Sequence, residues 1–393
     1  MIIEIKGVEF ENKGANLMLL AIIEQITRIW PQAEIALTHS KKASYAQRSA
    51  VASLRKVNVR KNILDMNIST YFFPRILRKL CKRNGIVFEV DVDMIIDASG
   101  FSYSDQWSSK LRIYHLKNEL KRFYRYSKPY IFLPQAFGPF TLQVSRRRIA
   151  DSFKYAAMIC AREKDSFQHV KSLTGSIERL FQYGDFTNLI DGFVPSNFDS
   201  RIQWACIVPN KNMTNPRNGN KAWIERYEPL LKEAIVYYRK KGLKPFFLNH
   251  EGKEDAAIIE SVNRTLVTPI PVVTESDPLA VKGIVGASRA VLCSRYHGCV
   301  SAMSQGICCI GTSWSHKYEL LYEEYRARDL LIEPDISVER LHHVIDLSLE
   351  KDNQTYQSIA VISLELKAKS VTMWSDFQSI AEDYPPFKEQ RRV

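Results

Sequence analysis

No apolar run in this chain of 393 residues approaches the ~18 residues a membrane-spanning helix needs, which excludes that class. The start, Met1-Ile2-Ile3-Glu4-Ile5-Lys6-Gly7, is too short and too acidic for a secretory leader and reads as a first strand. No Cys-x-x-Cys occurs, and the cysteines are an odd set of seven, scattered along the chain. That excludes a disulfide framework and a structural zinc site, and it fits thiols in a reducing compartment. The expected location is cytoplasmic. No Gly-x-Gly-x-x-Gly loop, RNP motif, metal-finger spacing or basic zipper is found, so nucleic acid is not expected as a partner. Neither an internal repeat nor a low-complexity segment is present. No His, Cys, Asp or Glu cluster has metal-ligand spacing, so no metal and no cofactor are expected.

What is present is an ordinary globular composition, 45% hydrophobic and 25% charged. The length fits about two to three domains. The net charge of +12 favours anionic partners, either anionic lipid or phosphorylated metabolites. Basic residues cluster in 75–83 and in 110–125; the plain alternative for each is a solvated helix face. The segment Tyr71 to Arg83 mixes aromatics, aliphatics and five basic residues. That composition suits a helix lying on an anionic bilayer, or an amphipathic helix packed over a sheet.

Apolar runs and helical spacing alternate along the chain. Strands are predicted at 2–8, 33–38, 93–97, 130–134 and 156–161, with a loop over 12–16 leading into a helix from Leu17 to Ile29. Ile113, Leu116, Leu120 and Phe123 hold helical spacing over 110–126, and 164–172 is a further helix. The stretch 191–197 reads as a linker, after which the pattern restarts. Strands are predicted at 202–208, 244–249, 270–273, 290–293 and 307–310. Helices are predicted at 222–241, 254–264, 278–287, from about 298, 316–326 and 337–350. Short continuous apolar strands between helices predict parallel sheets covered on both faces. The expected architecture is α/β: two doubly wound, Rossmann-like domains facing a cleft, 1–195 and 196–350. A C-terminal helical tail, 351–393, would pack back on the first domain.

In such folds ligands bind outside the carboxyl ends of the strands. Several polar clusters fall there. Ser294-Arg295-Tyr296-His297-Gly298 sits where strand 290–293 gives way to a helix; the helix start supplies N–H groups for an anion, and Arg295 adds a bidentate fork. The plain alternative is an arginine capping the sheet and a histidine satisfied in the core. In the first domain the strand ends carry Asn12-Lys13-Gly14-Ala15-Asn16, Asp97-Ala98-Ser99-Gly100 with Asp105 beyond, Leu133-Pro134-Gln135-Ala136-Phe137-Gly138-Pro139, and Ala161-Arg162-Glu163.

Together with Tyr183-Gly184-Asp185 and Lys317, and in this order, these stretches resemble the polysaccharide pyruvyl transferase family. The resemblance implies a two-domain arrangement of the GT-B type. It also implies transfer of pyruvate from phosphoenolpyruvate, as donor substrate, to a sugar, making a cyclic ketal on a surface polysaccharide or its precursor. Two departures stand out: Ala15 replaces an aspartate found in many members, and Asp97-Ala98-Ser99-Gly100 replaces a glycine-rich turn. Both lie in the first domain, the acceptor side of this reading, and bear on acceptor identity more than on donor chemistry.

On that resemblance, Arg295, Arg162 and Lys317 would supply cations for the donor's carboxylate and phosphate, with Ser294 and Gly298 completing the turn. His297 would be the general acid that protonates the methylene carbon. Asp97, with Asp105 as second choice, would take the hydroxyl proton. Asn12, Lys13, Asn16 and Gln135 would contact substrate. The sugar acceptor would be nucleotide-linked, lipid-linked or polymeric, and a lipid carrier would bring the protein to the inner face of an anionic membrane. Two other readings stay open: a GT-B-type glycosyltransferase using a nucleotide sugar, and a non-catalytic glycan- or lipid-binding relative.

Overall fold

A computed structural model describes the chain except residues 11, 39–43, 53, 106–109, 176–177, 217–219 and 389–393. It divides into two compact units. Unit 1 holds Met1–Phe10, Met18–Phe186 and the chain from Lys369 onward; unit 2 holds a short piece ending at Leu17 and Thr187–Ala368.

Unit 1 is built on β1 (Ile2–Lys6), β2 (Glu34–Thr38), β3 (Leu54–Lys56), β6 (Ile86–Val87), β7 (Met94–Asp97), β8 (Tyr130–Gln135), β9 (Met158–Ala161) and β10 (Leu180–Gln182). They form an eight-stranded sheet in the order β10-β9-β8-β7-β1-β2-β3-β6, and every pairing in it is parallel. A two-strand ribbon, β4 (Arg60–Lys61) and β5 (Leu64–Asp65), stands apart from it. The helices are α1 (Lys13–Ile29), α2 (Tyr45–Ser49), α3 (Arg75–Arg83), α4 (Lys110–Arg125), α5 (Gln143–Phe153) and α6 (Lys164–Thr174). All residues of β7, β8 and β9 are buried, as expected of strands covered on both faces. Phe132 and Phe137 pack against Phe153 in the core.

Helix α1 begins four residues before the predicted Leu17. The Asn12 Oδ1 accepts the N–H of Gly14 at 3.0 Å and of Ala15 at 3.2 Å, so Asn12 caps the helix and draws the expected loop into its first turn. That first turn groups with unit 2.

Unit 2 contains β11 (Trp204–Val208), β12 (Lys244–Asn249), β13 (Val272–Thr274), β14 (Ala290–Cys293), β15 (Cys309–Thr312) and β16 (Leu331–Ile332). The parallel sheet runs β13-β12-β11-β14-β15-β16. In chain order this is 3-2-1-4-5-6, the Rossmann arrangement, and its strand order reverses between β11 and β14. Its helices are α7 (Ala222–Lys240), α8 (Gly252–Thr265), α9 (Pro278–Gly286), α10 (Tyr296–Met303), α11 (Lys317–Glu324) and α12 (Val338–Leu349). Trp223, Tyr227 and Tyr238 of α7 lie fully buried in the core of this unit.

The tail consists of α13 (Gln354–Glu382) and α14 (Pro385–Lys388). Within unit 1, Trp30 packs against the tilted rings of Phe377 and Phe387 with centroids 5.8 and 4.9 Å away, and Tyr183 donates to Asp376 at 2.5 Å. Among the described residues no helix is long and apolar enough to cross a membrane.

Candidate functional site

The switch point of unit 2 lies where β11 and β14 end side by side, Val208 opposite Cys293. The loops leaving them are laced together. Asn210 Nδ2 donates to the Ser294 carbonyl at 2.8 Å, and the Tyr318 hydroxyl donates to the same oxygen at 2.8 Å. The fully buried Ser294 hydroxyl lies 2.6 Å from the Tyr227 hydroxyl and 2.7 Å from that of Thr312. Ser294 is therefore a buried joint between three strand ends, not the substrate contact expected of it.

The next residue also departs from expectation. Arg295 places one guanidinium nitrogen 2.6 Å from both Asp255 oxygens and pairs another with Glu251. Asp255 also accepts the Lys211 N–H at 3.0 Å. Arg295 is 7% exposed and Asp255 fully buried. Burial lifts the Asp255 carboxyl to about 7 and lowers the Arg295 guanidinium to about 10. The bidentate contact works the other way, and on that geometry we take the pair as ionised at neutral pH. The fork expected to grip a substrate anion is filled by the chain's own carboxylates. Arg295 instead ties the turn after β14 to the start of α8.

Arg295 is the N-cap residue of α10, and no side chain caps the helix there. A helix start of this kind turns its N–H groups outward, the usual setting for an anion. Gly298 lies in the turn because a Cβ there would overlap the Cys293 sulfur. His297 follows Tyr296, whose ring meets it edge-on with centroids 5.4 Å apart. Gly14 of α1 rests on the His297 imidazole so closely that a Cβ would overlap Nδ1. The motif Asn12-Lys13-Gly14 and the motif Arg295-Tyr296-His297 thus meet within unit 2. Lys13 Nζ donates to the Ser276 carbonyl at 2.6 Å, and burial, offset by Glu275 and Asp277, lowers its pKa.

His250, at the carboxyl end of β12, completes this cluster. It is 5% exposed, and its Nδ1 has no hydrogen-bond partner among the described residues. Burial, then the positive fields of Arg295, His297 and Lys13, hold its pKa well below the usual imidazole range. His250 is thus a buried imidazole kept neutral. The strand-end argument, applied to the predicted strand 244–249, would have singled out Asn249-His250-Glu251; it was pursued only for other strands.

Lys317, the first residue of α11, has its ammonium 4.7 Å from the Trp314 ring centroid, 5.2 Å from Tyr296 and 5.6 Å from Tyr318. It sits in an aromatic nest on the same unit. Asn16 is half-buried in α1 one turn beyond its cap, and its N–H donates to the Asn12 carbonyl.

The other expected residues belong to unit 1. Asp97 ends β7 at that unit's own switch point, beside Lys6 of β1. It is buried, and its carboxylate accepts the Ser99 N–H at 3.1 Å, the Ser99 hydroxyl at 2.6 Å, and the Tyr103 and Tyr130 hydroxyls at 2.6 and 2.8 Å. Four chain donors fill a group that has about four acceptor positions, so Asp97 is a buried anchor and not an open base. Gln135 donates from Nε2 to the Asp97 carbonyl at 3.1 Å, while its buried Oε1 has no partner. Arg162 lies 3.3 Å from Glu163 and 3.7 Å from Asp185. Asp105 Oδ2 accepts the Thr141 N–H, the Thr141 hydroxyl and the Leu142 N–H, whereas Oδ1 is buried without a partner among the described residues. Burial would raise its pKa, but those donors and Arg146 hold it below the usual range.

A cavity of 340 Å³ opens at this second switch point, lined by Lys6, Arg60, Asp97, Ser102, His115 and Glu119 among others. Beneath it is a buried ionic network. Lys56 lies 2.5 Å from Glu4 and 3.2 Å from Glu119, and Lys6 also pairs with Glu119. Against the burial penalty these carboxylates hold Lys56 up at about 12, and Lys6, Arg60 and Lys56 hold Glu119 far down. Among the described residues no group of His, Cys, Asp and Glu would hold a metal ion.

The family model "Polysaccharide pyruvyl transferase" matches residues 12–316. No curated protein matches the chain. Among solved structures it is similar to the Neisseria meningitidis UDP-GlcNAc 2-epimerase bound to UDP-GlcNAc, at 10% identity and a TM-score of 0.57, covering 96% of this chain and 100% of that one. It is also similar to S. aureus MnaA with UDP, at 12% identity, a TM-score of 0.56 and 95% and 94% coverage. Anabaena HepE in complex with UDP and glucose aligns at 13% identity, a TM-score of 0.55 and 98% and 100% coverage. At such identities the likeness concerns the fold: two Rossmann-like units of GT-B type with a helical C-terminal tail.

Proposed function

The chain belongs to the polysaccharide pyruvyl transferase family, and from that premise we propose that it moves pyruvate from phosphoenolpyruvate onto a sugar as a cyclic ketal. The observation that supports the donor assignment is the meeting of the Asn12-Lys13-Gly14 turn with His297 in the first turn of α10, Gly14 resting on the imidazole. A carboxylate and a phosphate are the ligands such a site favours. In this proposal His297 gives a proton to the methylene carbon while a sugar hydroxyl oxygen bonds to the neighbouring carbon. Phosphate then leaves with the electrons of its C–O bond, and a second hydroxyl closes the ring. Of the two hydroxyl protons, one ends on the new methyl group, through His297, and the other on phosphate.

Arg295 is then a positioning residue that fixes the turn bearing His297. Lys13, and Lys317 in its aromatic nest, carry the anion contacts together with the helix start. In unit 1 the sugar occupies the 340 Å³ cavity at the switch point. Asp105, whose Oδ1 has no partner among the described residues, replaces Asp97 as the carboxylate that takes the hydroxyl proton. The acceptor's carrier and a surface polysaccharide as destination remain parts of the proposal.

A second reading draws on the neighbours crystallised with UDP or UDP-GlcNAc: a nucleotide sugar is the ligand, as donor or as acceptor. Thermal shift separates the two, because a ligand of the native state raises its melting temperature. Phosphoenolpyruvate is expected to stabilise the protein in the absence of any nucleotide sugar, and sugar-dependent phosphate release should follow. Stabilisation by UDP-sugars alone, with no phosphate released from phosphoenolpyruvate, would support the second reading.

A further inference from the structure

Helix α3 is built inside out. A surface helix normally turns its apolar stripe to the core and its charges to water. Here no residue of Arg75–Arg83 is buried. The side chains that tie the helix to unit 1 are charged: Arg78 pairs with Asp91 and Lys82 with Glu34. The apolar residues face solvent instead, Ile76 at 84% exposure, Leu77 at 51% and Leu80 at 56%, preceded by Phe72 at 82%. Ile63 and Leu64, at the tip of the β4–β5 ribbon, are also exposed. Exposed hydrophobic side chains scattered singly need no explanation, but such a concentration within one short piece of chain marks an interaction surface.

The charges identify the partner. Arg75, Lys79 and Arg83 are exposed on the same helix, and the stretch Tyr71–Asn84 contains no acidic residue. Two copies meeting symmetrically through this face would bring like charges together. An anionic lipid surface satisfies both features, taking Phe72, Ile76 and Leu80 below the headgroups and the three cations among the phosphates. We propose that the outward face of α3, with Phe72, docks unit 1 on an anionic phospholipid bilayer. Docking of this kind selects a lipid-linked acceptor, a consequence that rests on the transferase reading. The docking itself does not.

The test is flotation of the full-length protein with vesicles of phosphatidylcholine alone or with about 30% phosphatidylglycerol, at about 50 mM and about 500 mM salt. Flotation is expected with the anionic vesicles at low salt and should fall at least about ten-fold at high salt or on neutral vesicles. Ile76→Ser with Leu80→Ser should reduce it about as far, and so should Arg75→Glu with Lys79→Glu, with circular dichroism and phosphate release in solution unchanged. No flotation at low salt, or flotation indifferent to both double variants, would overturn the proposal. So would a dimer in light scattering that the serine variant dissolves while vesicles bind neither form. Failure of the transferase reading would appear separately, as flotation without phosphate release.

Discussion

The two switch points are made of opposite materials. In unit 1 the strand ends stand over a balanced ionic network, Lys6 and Lys56 against Glu4 and Glu119, and the carboxylate at the turn is filled by Ser99, Tyr103 and Tyr130. In unit 2 the ion pairs of Arg295 with Asp255 and Glu251 are set back in the framework. The groups in front include Lys13 and a His250 that burial, then nearby positive fields, hold neutral. In the proposed reading, similar strand orders thus place a cavity for hydroxyls in one unit and a place for an anion in the other. Strand order places a site; the sign of the charge left uncompensated decides what it binds.

The largest effect is expected at His297. His297→Ala should lower kcat by about 10²–10⁴-fold with a smaller change in the KM for phosphoenolpyruvate. Steady-state phosphate release on protein checked by near-UV circular dichroism measures it; turnover near wild type would remove the acid role.

Arg295→Ala comes next, and its effect should fall on stability. It strips a buried carboxylate of its partner, a change that costs about 3–5 kcal/mol. The urea midpoint should drop by a corresponding amount, and Arg295→Lys should restore part of it. A stable Arg295→Ala protein with only a raised KM would return Arg295 to the role of anion grip.

The third effect is a pH dependence. The native state holds His250 neutral far below the ordinary value of 6.5, whereas the unfolded chain takes up a proton near that value. Below about pH 6.5 the unfolded state therefore binds more protons, and stability is lost as pH falls, by about 1.4 kcal/mol per unit for this one group. Urea midpoints of wild type and His250→Asn at about pH 7.5 and 5.5 should show a shallower decline in the variant. Equal slopes would mean that His250 is not held neutral.

The smallest effect concerns the cap. Asn12→Ala should cost about 1 kcal/mol by leaving the Gly14 and Ala15 N–H groups without their acceptor, seen as a small drop in Tm. Asn12→Asp should cost less.

These expectations also show what sequence patterning could and could not supply. Strands 130–134, 244–249 and 290–293 were legible because continuous apolar runs of that length, punctuated by turn residues, suit strands buried on both faces. Strand β3 was not: Leu54-Arg55-Lys56 reads as surface, and Lys56 is buried only because Glu4 and Glu119 come from elsewhere in the sheet. Strand β6, two residues long, has no period to detect. The site was legible as a place, since polar clusters at strand ends pointed to His297 and Lys13. The employment of Arg295 was not, because its fillers lie 44 and 40 residues upstream. Nor could sequence show that Asp97 would meet two tyrosine hydroxyls. Neutralisation by distant partners is a property of the fold, and it decided which expected residues keep an open polar atom.

The central claim is that the donor anion binds in unit 2 and not at the switch point of unit 1. Calorimetric titration of phosphoenolpyruvate into wild type, Lys13→Met and Asp105→Asn tests it most directly. Lys13→Met should weaken binding at least about ten-fold, a loss of about 1.4 kcal/mol, while Asp105→Asn should leave the affinity within about two-fold, under about 0.5 kcal/mol. Undiminished binding to Lys13→Met together with lost binding to Asp105→Asn would contradict the account.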